Sequence, residues 1–313
     1  MQDDKETALT KSIQLLKLGR FQFLGAGFIL FSMGSLFANH QGSSFSLFDF
    51  VYGYSIYFCA HLSVSYSNDY FDQSADVNTQ STMFTGGSGV LQKNPELAPL
   101  AKTIALTLLS LSLILTAIGI AFFHLPAILI PIVGAGNFLG WFYTAPPIKL
   151  AYRGLGEIST IFTIGILSPA MGFCIMTGTL NLDFLIFFTP LLPIGLFFML
   201  NVQLPDRVGD LHSGKKTLVV RIGGHRSFML VGACAIATAL LYLIYAIIDP
   251  YQSISFWAIA GLSLVFVVPG SISAFFHPND WNEVTRYVSI NLATLVLFML
   301  LSAGLLFLPL LHA

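Results

Sequence analysis

Charge is what this chain has least of. Only 9% of its 313 residues are Asp, Glu, Lys or Arg, where a soluble domain carries about a quarter. With 55% apolar residues and apolar runs of roughly 20 residues recurring end to end, an ordinary soluble globule is excluded and a polytopic membrane protein is implied. Cysteine is scarce too. Cys59, Cys174 and Cys234 all fall inside apolar runs with no CxxC or other ligand spacing, so they read as small hydrophobes and not as a disulfide or metal framework. A net charge of −1 and the lack of a basic arm leave no nucleic-acid partner to argue for. The opening MQDDKETALTKSIQLLKLGR is amphipathic without the small-residue cleavage site of a signal peptide, and is expected to form a short surface helix.

What is present is a repeated alternation of apolar runs and polar connections. Nine helices are expected, at 20–38, 46–67, 101–123, 125–144, 156–178, 182–203, 227–248, 253–276 and 287–310. On that threading all fourteen Lys and Arg fall on one side, while the short opposite loops carry only acids such as Asp49, Asp183 and Asp249. The positive-inside rule makes the basic side cytoplasmic. The expected architecture is therefore an all-α polytopic protein of about nine transmembrane helices. Residues 1–19 form a cytoplasmic segment and 20–313 one transmembrane domain, with polar loops at 68–100 and 201–226.

Against that scarcity of charge, the stretch SYSNDYFDQSAD (65–76) is anomalous. Asp69, Asp72 and Asp76 follow Asn68 at the end of the second run, taking three of only fifteen acids. A second cluster, Asp206 and Asp210 in NVQLPDRVGDLHSGKKTL, follows the sixth run. Asp72 and Asp76 share its D-x-x-x-D spacing, which puts both carboxylates of a pair on one helical face. Two such clusters on one side suit magnesium, a hard cation usually held by one or two carboxylates together with phosphate oxygens. Acids alone would repel a diphosphate, so the metal is demanded by charge balance. Lys215 and Lys216 follow Asp210, Lys149 and Arg153 lie between the fourth and fifth runs and Arg20 opens the first, all on the same side, and they suit the outer oxygens of such a group. The run GGSG (86–89) can offer backbone N–H groups to an anion, or be a flexible turn. His61, Ser65 and Asn68 share a face of the second helix, a polar stripe that faces a bundle interior and serves either a pocket or internal packing.

NDYFDQSAD resembles the N-D-x-x-D-x-x-x-D motif of the UbiA superfamily of intramembrane prenyltransferases. DRVGD followed by HSGKKTL resembles that family's second motif, D-x-x-x-D-x-x-x-G-K-[RK]-T. The similarity also takes in Arg20 and the loop YTAPPIKLAYRGLGE (143–157). It implies helices around a central cavity under cytoplasmic cap loops, and Mg²⁺-dependent transfer of an isoprenyl chain from its diphosphate to an acceptor. By motif, Asn68, Asp69, Asp72 and Asp76 would hold one Mg²⁺ and Asp206 and Asp210 the other. Arg20, Lys215, Tyr143, Lys149 and Arg153 would bind diphosphate, and Asn68, His61, Asn201 and Gln203 are pocket or acceptor candidates. The family's Asn upstream of the second motif has two possible counterparts, Asn201 five residues before Asp206 and Gln203 three before it. The Tyr143–Lys149 spacing is two residues longer than in some members.

TGGSGVL and YRGLGE look most like the 1,4-dihydroxy-2-naphthoate prenyltransferase branch, which implies an aromatic acceptor, a role in menaquinone biosynthesis and residence in the cytoplasmic membrane. The alternatives are the same chemistry on 4-hydroxybenzoate or another quinone or lipid precursor. From other classes, a secondary transporter would use the acids for ion coupling, near the bilayer midplane. A lipid phosphotransferase would want D-G and A-R pairs that neither cluster has.

Overall fold

The structure, a computed structural model, describes residues 11–73 and 87–308. Among these the chain is helical, with no strand. After a short helix over 11–18, the principal helices are α1 (Gln22–His40), α2 (Leu47–Phe71), α3 (Ala98–Phe123), α4 (Leu129–Trp141), α5 (Gly156–Thr177), α6 (Leu182–Phe188 and Leu191–Gln203), α7 (Gly224–Ile248), α8 (Phe256–Phe276) and α9 (Trp281–Phe307). A helix thus occupies each of the nine expected runs.

Fewer of them qualify as spans on their own. Six are long and apolar enough to cross a bilayer, or seven if the two halves of α6, bent by 43°, count as one. The two remaining helices differ for separate reasons. The 13 residues of α4 rise about 20 Å, short of the roughly 30 Å of a hydrocarbon core. The 25-residue α2 is long enough, but its last turns are the polar stripe that runs into the first acidic cluster.

Local sequence accounts for several helix starts. Ser46 opens α2, accepting from the amide of Asp49, and Asn181 opens α6, accepting from that of Phe184. Asp280 opens α9 by accepting from Asn282 and Glu283. Each satisfies amides that the first turn of a helix leaves without partners.

Packing uses close backbone approach. A Cβ on Gly34 of α1 would strike the carbonyl of Pro169 in α5, and one on Gly172 would strike that of Phe31. Ser35 donates to the Gly172 carbonyl across the same contact, at 3.0 Å. Small residues thus bring α1 and α5 together without side chains between them. Around this contact runs a large apolar core that includes Phe31, Phe37, Phe173, Phe197 and Phe298, all fully buried. A smaller cluster joins Leu18, Leu62, Tyr66, Leu91 and Ala101, and ties the N-terminal helix and the segment after the first acidic cluster to α2 and α3.

Candidate active site

The acids stand where their helices run out. Asp72 is the residue that ends α2, its amide bonded to the Asn68 carbonyl at 2.9 Å. At the end of α6, Asp206 bonds through its amide to the Gln203 carbonyl at 3.1 Å and Asp210 to the Asp206 carbonyl at 2.8 Å. The chain therefore keeps a helical path through the second cluster, and Gln203, Asp206 and Asp210 stay on one face. Both faces line the same cavity of about 400 Å³. Its mouth carries Arg20, Asn68, Asp69, Asp72, Asp206, Asp210 and Lys215; the rest of its lining is mostly apolar, with Leu30, Ile132, Leu167, Leu295 and Met299, and includes Tyr57, His61 and Ser168.

At that mouth one lysine joins the two clusters. Lys215 Nζ lies 2.9 Å from Asp72 Oδ2 and 3.4 Å from Asp210 Oδ1. Asp69, Asp72 and Asp210 are all at least nine-tenths buried. Burial pushes the Asp210 carboxyl above its ordinary range, and the Lys215 ammonium pulls it part of the way back.

The remaining expected residues are distributed as follows. Asp69 Oδ2 accepts the Ser88 amide at 3.1 Å, so the anion that a GGSG amide meets is the protein's own carboxylate. Asn68 Oδ1 accepts from Thr144 Oγ1 at 2.9 Å, which fastens the first cluster to the loop after α4. His61 and Ser65 face the cavity with Asn68, and His61 Nδ1 is buried without a hydrogen-bond partner among the described residues. Gln203 also lines the cavity, both of its amide atoms buried and without a hydrogen-bond partner among the described residues. Asn201 is turned elsewhere: its side chain bonds to the Phe197 carbonyl and accepts from Asn291, which also reaches Ser273, so it packs α6 against α8 and α9. Of the two possible upstream amides, then, Gln203 is the one on the cavity wall.

Tyr143 lines the cavity and directs its hydroxyl to the Met199 sulfur at 3.8 Å. Lys149 is exposed, with its ammonium 5.1 Å from the Tyr152 ring centre. Arg153 is exposed and donates to the Pro147 carbonyl at 3.0 Å. Arg20 and Lys149 both adopt left-handed backbone angles, φ 44° and 49°, a costly conformation for residues with a Cβ. Asp76 and Gly86 lie outside the described residues.

Several contacts at the site come from residues that charge and motif did not mark. Tyr152 Oη donates to Asp72 Oδ1 at 2.9 Å. Buried Glu157 accepts the Leu218 amide at 2.6 Å, linking the start of α5 to the loop after the second cluster. Thr144, Tyr152 and Glu157 all lie in YTAPPIKLAYRGLGE, where charge and motif marked only Tyr143, Lys149 and Arg153.

Among the described residues, no three His, Cys, Asp or Glu side chains gather closely enough to cage an ion. The donor set nonetheless fits a hard divalent cation. Its members are carboxylate oxygens drawn from two helix ends, and a cation, the Lys215 ammonium, already sits between them. Magnesium needs only one or two carboxylates when phosphate oxygens complete its shell.

The model of the UbiA prenyltransferase family matches residues 28–283. A 2-carboxy-1,4-naphthoquinone phytyltransferase of Synechocystis sp. is 27% identical over 169 residues, which cover 50% of each chain. A 1,4-dihydroxy-2-naphthoate octaprenyltransferase of Bacillus subtilis is 25% identical over 113 residues, 36% of each. The chain thus spans half or less of the length of these curated relatives. A solved UbiA homologue from Archaeoglobus fulgidus bound to GPP and Mg²⁺ superimposes with TM-score 0.64 over 93% of this chain and 99% of that one, at 16% identity. A digeranylgeranylglyceryl phosphate synthase gives 0.59 over 94% and 99%, at 17% identity. Likeness at such identities is one of fold.

Proposed function

This chain belongs to the UbiA prenyltransferase family, and from that premise we propose that it transfers an isoprenyl chain from its diphosphate to an aromatic acceptor, 1,4-dihydroxy-2-naphthoate in menaquinone biosynthesis. The observation that carries the reading is the Lys215 bridge. Carboxylates from both motifs meet one cation at the mouth of a cavity whose remaining lining is mostly apolar. A diphosphate with a long hydrocarbon tail has that same division, a polyanionic head on an apolar body.

In this reading the family motif carries over to Asn68, Asp69, Asp72 and Asp76 as one Mg²⁺ site and to Asp206 and Asp210 as the other. Mg²⁺ supplies neutralising charge to the diphosphate oxygens. Lys215 and Arg20, at the cavity mouth, add cationic hydrogen bonds to the departing group; Lys149 and Arg153 act from the rim, and Tyr143 from the wall. The C–O bond to the allylic carbon breaks with its electron pair leaving on the diphosphate. The apolar walls keep water from the resulting cation. An electron-rich ring carbon of the acceptor then forms the new C–C bond, and the ring regains aromaticity as that carbon loses its own substituent, a proton to solvent or, where it bears the carboxylate, CO₂. Gln203 and His61 have hydrogen-bonding capacity to spare on the cavity wall and are assigned to the acceptor, whereas Asn201 serves packing.

The protein is an integral membrane protein by its apolar helices and family. We assign it nine crossings in one domain over 20–313, with residues 1–19 and the acidic loops on the cytoplasmic side of the cytoplasmic membrane. The positive-inside distribution of Lys and Arg supports that orientation.

The test incubates purified protein with Mg²⁺, a radiolabelled prenyl diphosphate and an acceptor panel containing 1,4-dihydroxy-2-naphthoate and 4-hydroxybenzoate. Labelled lipid product with the naphthoate, lost on adding EDTA and in Asp72→Ala and Asp206→Ala, is expected. Product with a different acceptor moves the protein to another branch of the family. Full activity in both Asp variants overturns the metal-clamp assignment.

A further inference from the structure

The segment between α4 and α5 touches both acidic motifs at once. Its amides fold it back on the end of α4, Leu150 to the Phe142 carbonyl and Ala151 to the Tyr143 carbonyl, both at 3.0 Å. It turns tightly between two left-handed residues, Lys149 at φ 49° and Gly154 at φ 75°. A Cβ on Gly154 would come within 3.1 Å of the Lys216 carbonyl and of Arg221 Nη1, so the turn lies directly against the second motif's loop. Glu157 then pins that loop through the Leu218 amide. Held at both ends in this way, the turn presents Tyr152 to the acids.

Tyr152 meets the site through two parts of its side chain. The hydroxyl donates to Asp72 Oδ1 at 2.9 Å, while Lys215 takes the other oxygen, Oδ2, at the same distance. The ring lies under two ammonium groups, Lys149 Nζ at 5.1 Å and Lys215 Nζ at 5.9 Å from its centre. These distances are in the range where a ring's negative face attracts a cation.

We infer that Tyr152 is a positioning residue that sets the carboxylate of Asp72 and the two lysines relative to one another. The inference rests on the metal-dependent reading above. With Oδ1 engaged by the phenol, Asp72 offers a divalent cation the single oxygen Oδ2, the one that Lys215 holds. The phenol keeps the carboxylate plane fixed when the ammonium gives way, and the ring keeps the displaced ammonium near the mouth, where the diphosphate arrives. Groups that orient a metal-binding carboxylate in this manner typically contribute 10–100-fold to affinity.

The experiment separates the hydroxyl from the ring. Tyr152→Phe removes the hydroxyl alone, and Tyr152→Leu removes both. Mn²⁺ binding is followed by loss of the free-ion EPR signal, with inorganic diphosphate present and neither donor nor acceptor. Tyr152→Phe is expected to weaken binding about tenfold, and to raise the half-saturating metal concentration for transfer by the same factor, with the rate recovering as metal is added. Tyr152→Leu is expected to raise the KM for the prenyl diphosphate beyond that of Tyr152→Phe. Mn²⁺ affinity of Tyr152→Phe within twofold of wild type, or tighter, overturns the inference. So does a fall in kcat with unchanged metal dependence, which would make the phenol a reacting group. Wild-type protein that binds no Mn²⁺ even with diphosphate would fail the metal-dependent reading itself, a result distinct from equal binding by wild type and variant.

Discussion

Replacing Lys215 by Met keeps an unbranched side chain one atom shorter and removes its charge, and the consequences differ with and without metal. Lys215 is 12% exposed and its partners Asp72 and Asp210 are 9% and 8% exposed, so this ion pair is buried. Removing one member of such a pair costs about 3–5 kcal/mol, because the remaining charge is left without compensation. The lower end applies, since burial already raises the Asp210 pKa and loss of Lys215, the main group opposing that shift, raises it further, which eases neutralisation of the stranded carboxylate. About 3 kcal/mol in EDTA corresponds to a fall in Tm of about 5–10 °C at a few degrees per kcal/mol.

Two dependences then distinguish the cause. Asp210 has a folded-state pKa above its unfolded value, so its stabilising contribution is complete below the unfolded value and lost as pH rises through the folded one. In EDTA, Lys215→Met should therefore melt higher at pH 5 than at pH 8, and by more than wild type does. Magnesium should restore the variant, by about 2.7 kcal/mol at a hundredfold excess over its dissociation constant. Wild type should gain less, because there the ion has to displace an ammonium. Transfer stays low throughout, as the diphosphate has lost a cationic partner. The assay is thermal unfolding in detergent across pH and Mg²⁺. Equal Tm for variant and wild type in EDTA, or equal gains with Mg²⁺, would refute Lys215 as the stand-in cation of this site.

Glu157→Ala removes the acceptor of the half-buried Leu218 amide and should cost about 1 kcal/mol, whereas Glu157→Gln retains an accepting oxygen and should cost less; unfolding of the two variants side by side decides this. Gly34→Ala drives a methyl into the Pro169 carbonyl, where neither helix backbone can give way cheaply, and should cost about 3 kcal/mol or more. Size-exclusion chromatography should find little monodisperse protein. Gly25→Ala, where an added Cβ meets nothing within 4 Å, should elute as wild type does.

The helices were legible because the bilayer imposes a coarse rule, that backbone polar groups be satisfied within long apolar segments. All nine expected runs are helical, though α4 falls short of a bilayer's thickness and α2 is too polar by composition to be counted with the six clear spans. Both acidic clusters were legible because charge is rare here, so each one stood out. The spacing of Gln203 and Asn201 from Asp206 left open which amide meets the cavity. That depended on helix rotation: Gln203 turns to the cavity, while Asn201 faces Asn291 and Ser273.

Sequence by itself thus determined the helices, the two acidic clusters and the set of cations beside them. Each of these follows from local composition and periodicity. Only the tertiary structure decided that Lys215 stands between Asp72 and Asp210, and that Tyr152, not Tyr143, is the tyrosine that reaches Asp72. The two contacts to Asp72 join residues 80 and more than 140 positions apart, and their partners are chosen by how α2, α6 and the loop before α5 pack, a choice that spacing along the chain does not encode.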